Sequence, residues 1–401
     1  MRIVHFDQMF HPDFGDQINV LPKYQVIQGH EVYIVTGKSD VPHPRFKGFA
    51  DNSNMDEKDM RYENETGIKI IRIDIKKFVS GRAVFKKGYT KIIDRLNPDI
   101  LFCHFNDTLV GMHYTWISNK LKYPIIFDTH MLEMASKNRF NKLFRFFYKT
   151  FITPKIKKNK LKVIKTQDDN YINDKLGIPH NLSPFISFGS DTTLFYPDLQ
   201  VREKFRERNG ILESDFVVVY TGKLTESKGG KLLAEAFLEK IERVNNVVLV
   251  VVGNSEGEYG KEVDSLFSKS RNRILRFPTQ KYIDLPQFYQ MADLCVFPKQ
   301  CSLSFYDAQA CGLPVVAEDN NINIDRLSHN NGLVFRENES IDLRRMIITI
   351  NLMSDKSYKT MSENAFKFIK NNYSYEDIAN QYTKLMKKEV ARYLLDNKIK
   401  E

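Results

Sequence analysis

The chain has 401 residues, 42% of them hydrophobic and 27% charged, a composition suited to a folded protein of two ordinary domains. No apolar run approaches the roughly 18–20 residues of a membrane span, and the opening Met1-Arg2-Ile3-Val4-His5-Phe6-Asp7 turns polar too early for a signal peptide. The four cysteines, Cys103, Cys295, Cys301 and Cys311, form no C-x-x-C pair; this argues against a zinc or dithiol motif and fits a reducing cytoplasm.

Along the chain, short β-rich runs alternate with helical patterns. The first half predicts strands at 3–6, 31–36, 68–73, 100–103, 125–127, 163–166 and 183–187. Residues 39–67 are rich in Asp, Asn and Lys and read as a long polar loop, either a flap over a site or a tolerated insertion. Residues 137–165 carry many Lys and Arg and no Asp or Glu, with Phe140, Phe144, Phe146, Phe147, Tyr148 and Phe151 interleaved. That segment fits an anionic membrane surface, or a helix with a buried aromatic face and a solvated basic one. Nucleic acid is disfavoured, because no nucleic-acid module accompanies it. The net charge of the chain is +10.

The pattern restarts after Pro197, so a domain boundary is expected at about 190–212. The second half predicts strands at 216–220, 247–252, 274–277, 294–297, 314–317 and 332–334, and a helix from Ser374 to Leu395 with Ser374 and Asp377 at its start. Alternating β and α segments imply parallel sheets covered by helices, with ligands beyond the carboxyl ends of the strands.

One segment combines these signals. After the strand at 216–220 comes Thr221-Gly222-Lys223-Leu224-Thr225-Glu226-Ser227-Lys228-Gly229-Gly230, then a helical run at 231–241. Free N–H groups at a helix start, with Lys223 and Lys228 beside them, would suit a diphosphate whose charge grows as a bond breaks. The spacing is not that of a P-loop, and a solvated basic turn is the plainer alternative. Four further segments matter: Pro12-Asp13-Phe14-Gly15-Asp16-Gln17, Phe127-Asp128-Thr129-His130, Phe188-Gly189-Ser190-Asp191-Thr192-Thr193-Leu194-Phe195-Tyr196-Pro197, and the run from Phe297 to Val316 containing Asp307-Ala308-Gln309-Ala310-Cys311-Gly312-Leu313-Pro314.

In this order and spacing the chain resembles the retaining GT-B glycosyltransferases of the large family 4 group. GHEV at Gly29 to Val32 is similar to the family's approach to its second strand, TGKLTESKGG to its G-R-L-x-x-x-K-G loop, GSDTTLFYP to its N-G-V-D-x-x-x-F-x-P segment, and DAQACGLPVV to its E-A-x-A-C-G-x-P-V-V segment. The resemblance implies two facing Rossmann-like domains with an interdomain cleft and a C-terminal helix crossing back to the first domain. The expected division is 1–195 with the helix at about 374–396, and 196–373. It further implies a hexosyltransferase that uses a nucleoside-diphosphate sugar as co-substrate, needs no metal or other cofactor, and glycosylates a glycan or lipid-linked acceptor in surface polysaccharide or glycoconjugate assembly. The expected location is cytoplasmic, peripheral on the inner face of the plasma membrane through 137–165.

By the same resemblance, Lys223 and Lys228 grip the donor diphosphate, with Gly222 in the turn. Lys223 stands where the family usually has Arg, which keeps the charge and loses the bidentate fork. Asp307 takes the second acidic position of the E-x7-E motif, where a carboxylate meets ribose hydroxyls. Lys299 takes the first, normally Glu, so Ser302 or Ser304 is expected to face the donor, or Lys299 to pair an anionic sugar, or transfer to be lost. That departure supports the alternative of a catalytically weak or inactive partner subunit. His130 is expected at the reacting centre and His104 beside it on the acceptor side. Gly15 and Asp16 are expected in a tight loop near phosphates or acceptor. For His130 the alternative is a structural hydrogen-bonding group.

Overall fold

A computed structural model describes residues 1–38, 51–133, 140–241, 246–300 and 302–398. The chain divides into two compact units: Met1–Phe188 with Tyr375–Glu401, and Gly189–Ser374.

The first unit holds β1 (Arg2–Phe6), β2 (Glu31–Gly37), β3 (Lys69–Ile73), β4 (Ile75–Val79), β5 (Arg82–Phe85), β6 (Ile100–Cys103), β7 (Ile125–Thr129) and β8 (Lys162–Lys165). Its six-stranded parallel sheet runs β3-β2-β1-β6-β7-β8. The second unit holds β9 (Phe216–Thr221), β10 (Val247–Val252), β11 (Arg273–Phe277), β12 (Leu294–Phe297), β13 (Val315–Glu318) and β14 (Gly332–Phe335), paired in parallel as β11-β10-β9-β12-β13-β14. Each unit thus repeats the Rossmann order, in which the chain reverses direction across the sheet between its first and fourth strands. Loops splay apart there, at β1/β6 in one unit and β9/β12 in the other. The central strands are apolar on both faces, as strands covered by helices must be: β9 and β10 are buried at every position.

The last helix, Tyr375–Lys398, packs in the first unit beside helix Gln17–Ile27. Ile378, Tyr382 and Met386 are buried along its inner stripe, whereas Leu394 and Leu395 are exposed.

Several local expectations need correction. Residues 183–187 form no strand; only Phe185 makes an isolated bridge to Lys165, because Pro184 interrupts the run. The antiparallel hairpin β4–β5 was not anticipated. Its turn residues Ser80 and Gly81 have φ of 50° and 74°, as a two-residue type I′ turn requires, and the Ser-Gly pair between apolar runs is its sequence signal. The polar stretch 39–67 contains a helix, Met55–Thr66, while Ser39 to Ala50 lie outside the described residues. The helix expected at 231–241 ends at Ala236. Beyond it, Asn272 Nδ2 and Ser270 Oγ donate to the Phe237 carbonyl, and the Arg344 guanidinium binds the carbonyls of Glu239 and Lys240. Side chains satisfy the carbonyls that further helical turns would have used.

One contact fixes the ends of β9 and β10. A β-carbon on Gly253, whose φ is +149°, would lie 2.0 Å from the Gly222 carbonyl oxygen. Gly253→Ala is therefore expected to lower stability by about 3 kcal/mol, read as a fall in the urea midpoint at unchanged slope.

Candidate functional site

In the first unit a buried polar chain crosses the switch point. His5, in β1, places Nδ1 3.0 Å from Nε2 of His104, just beyond β6. His104 Nδ1 donates to Asp128 Oδ2 at 2.7 Å, and Asp128 Oδ1 accepts the Phe105 N–H at 2.7 Å. On the other side, His5 Nε2 lies 2.7 Å from Gln25 Oε1. All four side chains are buried. Burial alone disfavours the charged form of His104, but the charge and hydrogen bond of Asp128 outweigh it and raise its pKa. Burial would likewise raise Asp128, yet the His104 charge and hydrogen bond pull it well below the usual carboxylate range. Burial, then the His104 charge, lower His5 to about 3. A protonated His104 donating to Asp128 and to His5 Nδ1, with His5 donating from Nε2 to Gln25 Oε1, would satisfy every ring nitrogen of this chain. His104 is thus half of a buried ion pair with both ring nitrogens engaged.

His130 follows β7 and is partly open, with 26% of its side chain exposed. Its ring sits between Phe105 and Phe188, at centroid distances of 4.4 and 4.9 Å. Nε2 lies 3.2 Å from Gln17 Oε1 and 3.6 Å from Asp128 Oδ2. Gln17 Nε2 in turn donates to the Tyr382 hydroxyl at 2.7 Å. Gly15 and Asp16 close the loop after β1. Asp16 is the N-cap residue of helix Gln17–Ile27, and its carbonyl accepts the Asn19 N–H at 2.8 Å. Asp13, in the same loop, pairs with Arg61 of helix Met55–Thr66 at 2.5 Å. Asp7, nearby at the end of β1, is raised to about 6 by burial.

In the second unit the loops after β9, β10 and β12 converge. Leu224 N donates to Asn254 O and Gly222 N to Val252 O. Gly229 is pressed against the loop after β12: a β-carbon there would meet Pro298 Cβ at 2.9 Å and Lys299 Cγ at 3.0 Å. Gln300 N also donates to Ser227 O at 3.3 Å. The Lys223–Lys228 loop and the Lys299 loop are therefore neighbours. The backbone N–H groups expected to be free at the helix start are already used, however. Those of Lys228, Gly229 and Gly230 donate to carbonyls of Thr225 and Glu226, and that of Lys231 donates to the Tyr259 hydroxyl at 2.9 Å. These four amides are engaged within the turn, which shifts the burden of holding an anion toward the lysine side chains. Lys299 also borders an open pocket of about 390 Å³ whose other lining residues include Lys231, Glu226, Glu235 and Glu262, so its charge is mixed.

Helix Ser304–Ala310 carries Asp307, which is buried. Its N-cap is Leu303, so Asp307 is inside the first turn and not itself a cap. Asp307 Oδ1 accepts the Ser190 hydroxyl at 2.7 Å and the Tyr282 hydroxyl at 3.4 Å. Ser190 and Tyr282 were missed by sequence reasoning, although Ser190 lies within the GSD segment. Ser302 is partly exposed and its Oγ accepts the Ser304 N–H at 3.3 Å. Ser304 turns its side chain to the Tyr289 hydroxyl, which also bonds Thr221 Oγ1 at 2.7 Å.

The basic aromatic segment of the first unit is split. Tyr148 is buried and accepts from Asn106 Nδ2 at 2.6 Å, and Phe144 packs against the core. Phe140, Leu143 and Phe146 are 58%, 67% and 66% exposed. Lys155 lies over the exposed Trp116 ring at 4.6 Å. Lys137 lies outside the described residues. Among the described residues no helix is long and apolar enough to cross a membrane, and no group of three His, Cys, Asp or Glu is placed to hold a metal ion.

Residues 201–368 match the family model described as glycosyl transferases group 1. The match lies wholly within the second unit. The chain is 24% identical to a probable sucrose-phosphate synthase of Thermosipho melanesiensis, over 94% of this chain and 92% of the relative. It is 28% identical to a lipopolysaccharide 1,2-N-acetylglucosaminetransferase of Salmonella typhimurium over 46% of this chain and 52% of that protein. Anabaena Alr3699/HepE, solved with UDP-glucose, superposes with a TM-score of 0.73 at 18% identity, covering 97% of this chain and 100% of that one. The fold is GT-B, α/β with two Rossmann-like domains, and the domain match with these relatives supports a glycosyltransferase.

Burial raises Asp307 to about 7 against the opposing Ser190 hydrogen bond. The folded state therefore binds a proton that the unfolded chain releases near pH 4. Its contribution is full below that pH and is lost as pH rises through about 7. Thermal melts of wild type and Asp307→Asn across this range should diverge, the wild type losing roughly a few kcal/mol more than the variant as pH rises.

Proposed function

We propose that the protein is a retaining glycosyltransferase that moves a sugar from a nucleoside-diphosphate sugar to a hydroxyl of a glycan or lipid-linked acceptor in surface polysaccharide or glycoconjugate assembly. The observation that carries this reading is the convergence of the Lys223–Lys228 and Lys299 loops at the β9/β12 switch point, with buried Asp307 on the helix that follows. Phosphate is held by Lys223 and Lys228, and Asp307 meets a ribose hydroxyl. In the reaction the sugar C1–O bond to the diphosphate breaks and its electron pair stays on the phosphate oxygen. The lysine charges stabilise that oxygen as it becomes more negative. The acceptor oxygen bonds C1 on the face the phosphate leaves, and its proton passes to the phosphate. This chemistry asks for no metal and no enzymic nucleophile. His130, on the acceptor side, meets a hydroxyl of the sugar or acceptor.

The donor is expected to be a uridine-diphosphate or other nucleoside-diphosphate sugar; a neighbour of the same fold was solved with UDP-glucose. Titration calorimetry with a panel of nucleotide sugars should find one that binds, and Lys228→Ala should weaken it about tenfold or more. No binding by any donor or free nucleoside diphosphate would favour the inactive-partner reading that Lys299 prompts.

The exposed Phe140, Leu143 and Phe146 beside Lys142, Arg145, Lys155, Lys157 and Lys158 support docking on an anionic bilayer at the inner face of the plasma membrane. Each basic group near such a surface contributes about 1 kcal/mol. Replacing Lys155, Lys157 and Lys158 with Gln should sharply reduce co-sedimentation with phosphatidylglycerol vesicles at low salt, and unchanged binding would reject the docking surface.

A further inference from the structure

We propose that Gln17 and Tyr382 are positioning residues that keep a proton on Nε2 of His130, so that neutral His130 offers Nδ1 as an acceptor to a sugar or acceptor hydroxyl. This rests on the proposed acceptor-side role of His130.

Two acceptors converge on the same ring nitrogen. Gln17 Oε1 is 3.2 Å from Nε2, and Asp128 Oδ2 is 3.6 Å away. A carboxylate held ionised by His104 repels an imidazole lone pair and attracts an N–H. The orientation of the Gln17 amide is set from behind. Its Nε2 donates to the fully buried Tyr382 hydroxyl at 2.7 Å, and that hydroxyl has the Ile186 carbonyl at 3.4 Å for its own proton. With the amide reversed, its N–H would face Nε2 and demand a lone pair there, beside the Asp128 carboxylate. The arrangement with Nε2–H satisfies Gln17, Asp128 and Tyr382 together.

Phe105 and Phe188 hold the ring plane on two sides. With Nε2 committed to its clamp, the lone pair is on Nδ1. An acceptor nitrogen selects a hydroxyl, which can donate, over a carboxylate or phosphate oxygen, which cannot. The chemistry thus points to a neutral polyol group at this spot, whatever charge the rest of the substrate carries.

The tautomer is readable directly. In the full chain labelled with 15N-histidine, at a pH where imidazoles are neutral, His130 (assigned with His130→Asn) should show a protonated-type Nε2 and a lone-pair-type Nδ1. Gln17→Met should shift it toward a mixture of tautomers and lower donor turnover about tenfold with little change in donor KM. Gln17→Glu, which keeps an acceptor, should hold the proton on Nε2, read at a pH high enough that Nδ1 is unprotonated. Tyr382→Phe should loosen the preference in the same direction, and Gln17→Met carries the test if loss of the buried hydroxyl prevents folding. A proton on Nδ1 in the wild type, or a Gln17→Met spectrum identical to wild type, would overturn the clamp. Failure of the acceptor-side reading would look different: the spectra would behave as described while His130→Ala turned over donor and acceptor normally.

Discussion

The approach of Gly253 to the Gly222 carbonyl, with room for no β-carbon between them, is the constraint on which the junction of the loops after β9, β10 and β12 depends. It lets the ends of β9 and β10 close together, so that the chain after β9 turns toward β12 instead of away from it. Gly229 then sits against Pro298 and Lys299. Three loops meet because two positions have no side chain. The amides of Lys228, Gly229 and Gly230 are used within their own turn, so the lysine side chains are the main source of positive charge there. Charge on flexible stems is less pre-organised than charge on backbone dipoles.

The two units solve the same topological problem with different electrostatics. At β1/β6 the first unit buries an ion pair, His104 with Asp128, and pins it with His5, Gln25 and the Phe105 amide. Every polar atom of that chain has a partner, the condition under which a buried pair is tolerated. At β9/β12 the second unit buries a single carboxyl, Asp307, against two hydroxyls. A neutral or nearly neutral carboxyl costs less to desolvate than an ion, so hydroxyl donors suffice there.

Sheet strands were the most legible part of the sequence, because central strands such as 216–220 and 247–252 are unbroken Val-rich runs. The hairpin at 75–85 was not, since its residues are half exposed and its one sharp signal is a Ser-Gly pair. The helix after Gly230 was read too long because what ends it, Asn272 and Arg344, lies far away in sequence. The motif residues Lys223, Lys228, Lys299 and Asp307 were visible in the sequence, and so was His130. Their supports were not. Ser190 stands 117 residues from Asp307, and Gln17 stands 113 from His130, separations at which local pattern carries no information.

The helix Tyr375–Lys398 also bears on how the protein comes into being. Its Tyr382 bonds Gln17 across 365 residues, and Met386 meets Gln25 across 361. The first unit is therefore completed by a helix that follows the whole second unit in the chain. Closing so long a loop is entropically costly and slow. A chain ending before Tyr375 would carry a complete second unit joined to an unfinished first one, with Gln17 lacking its Tyr382 partner. Until this helix docks, the apolar face it covers would be open, the kind of surface a chaperone binds.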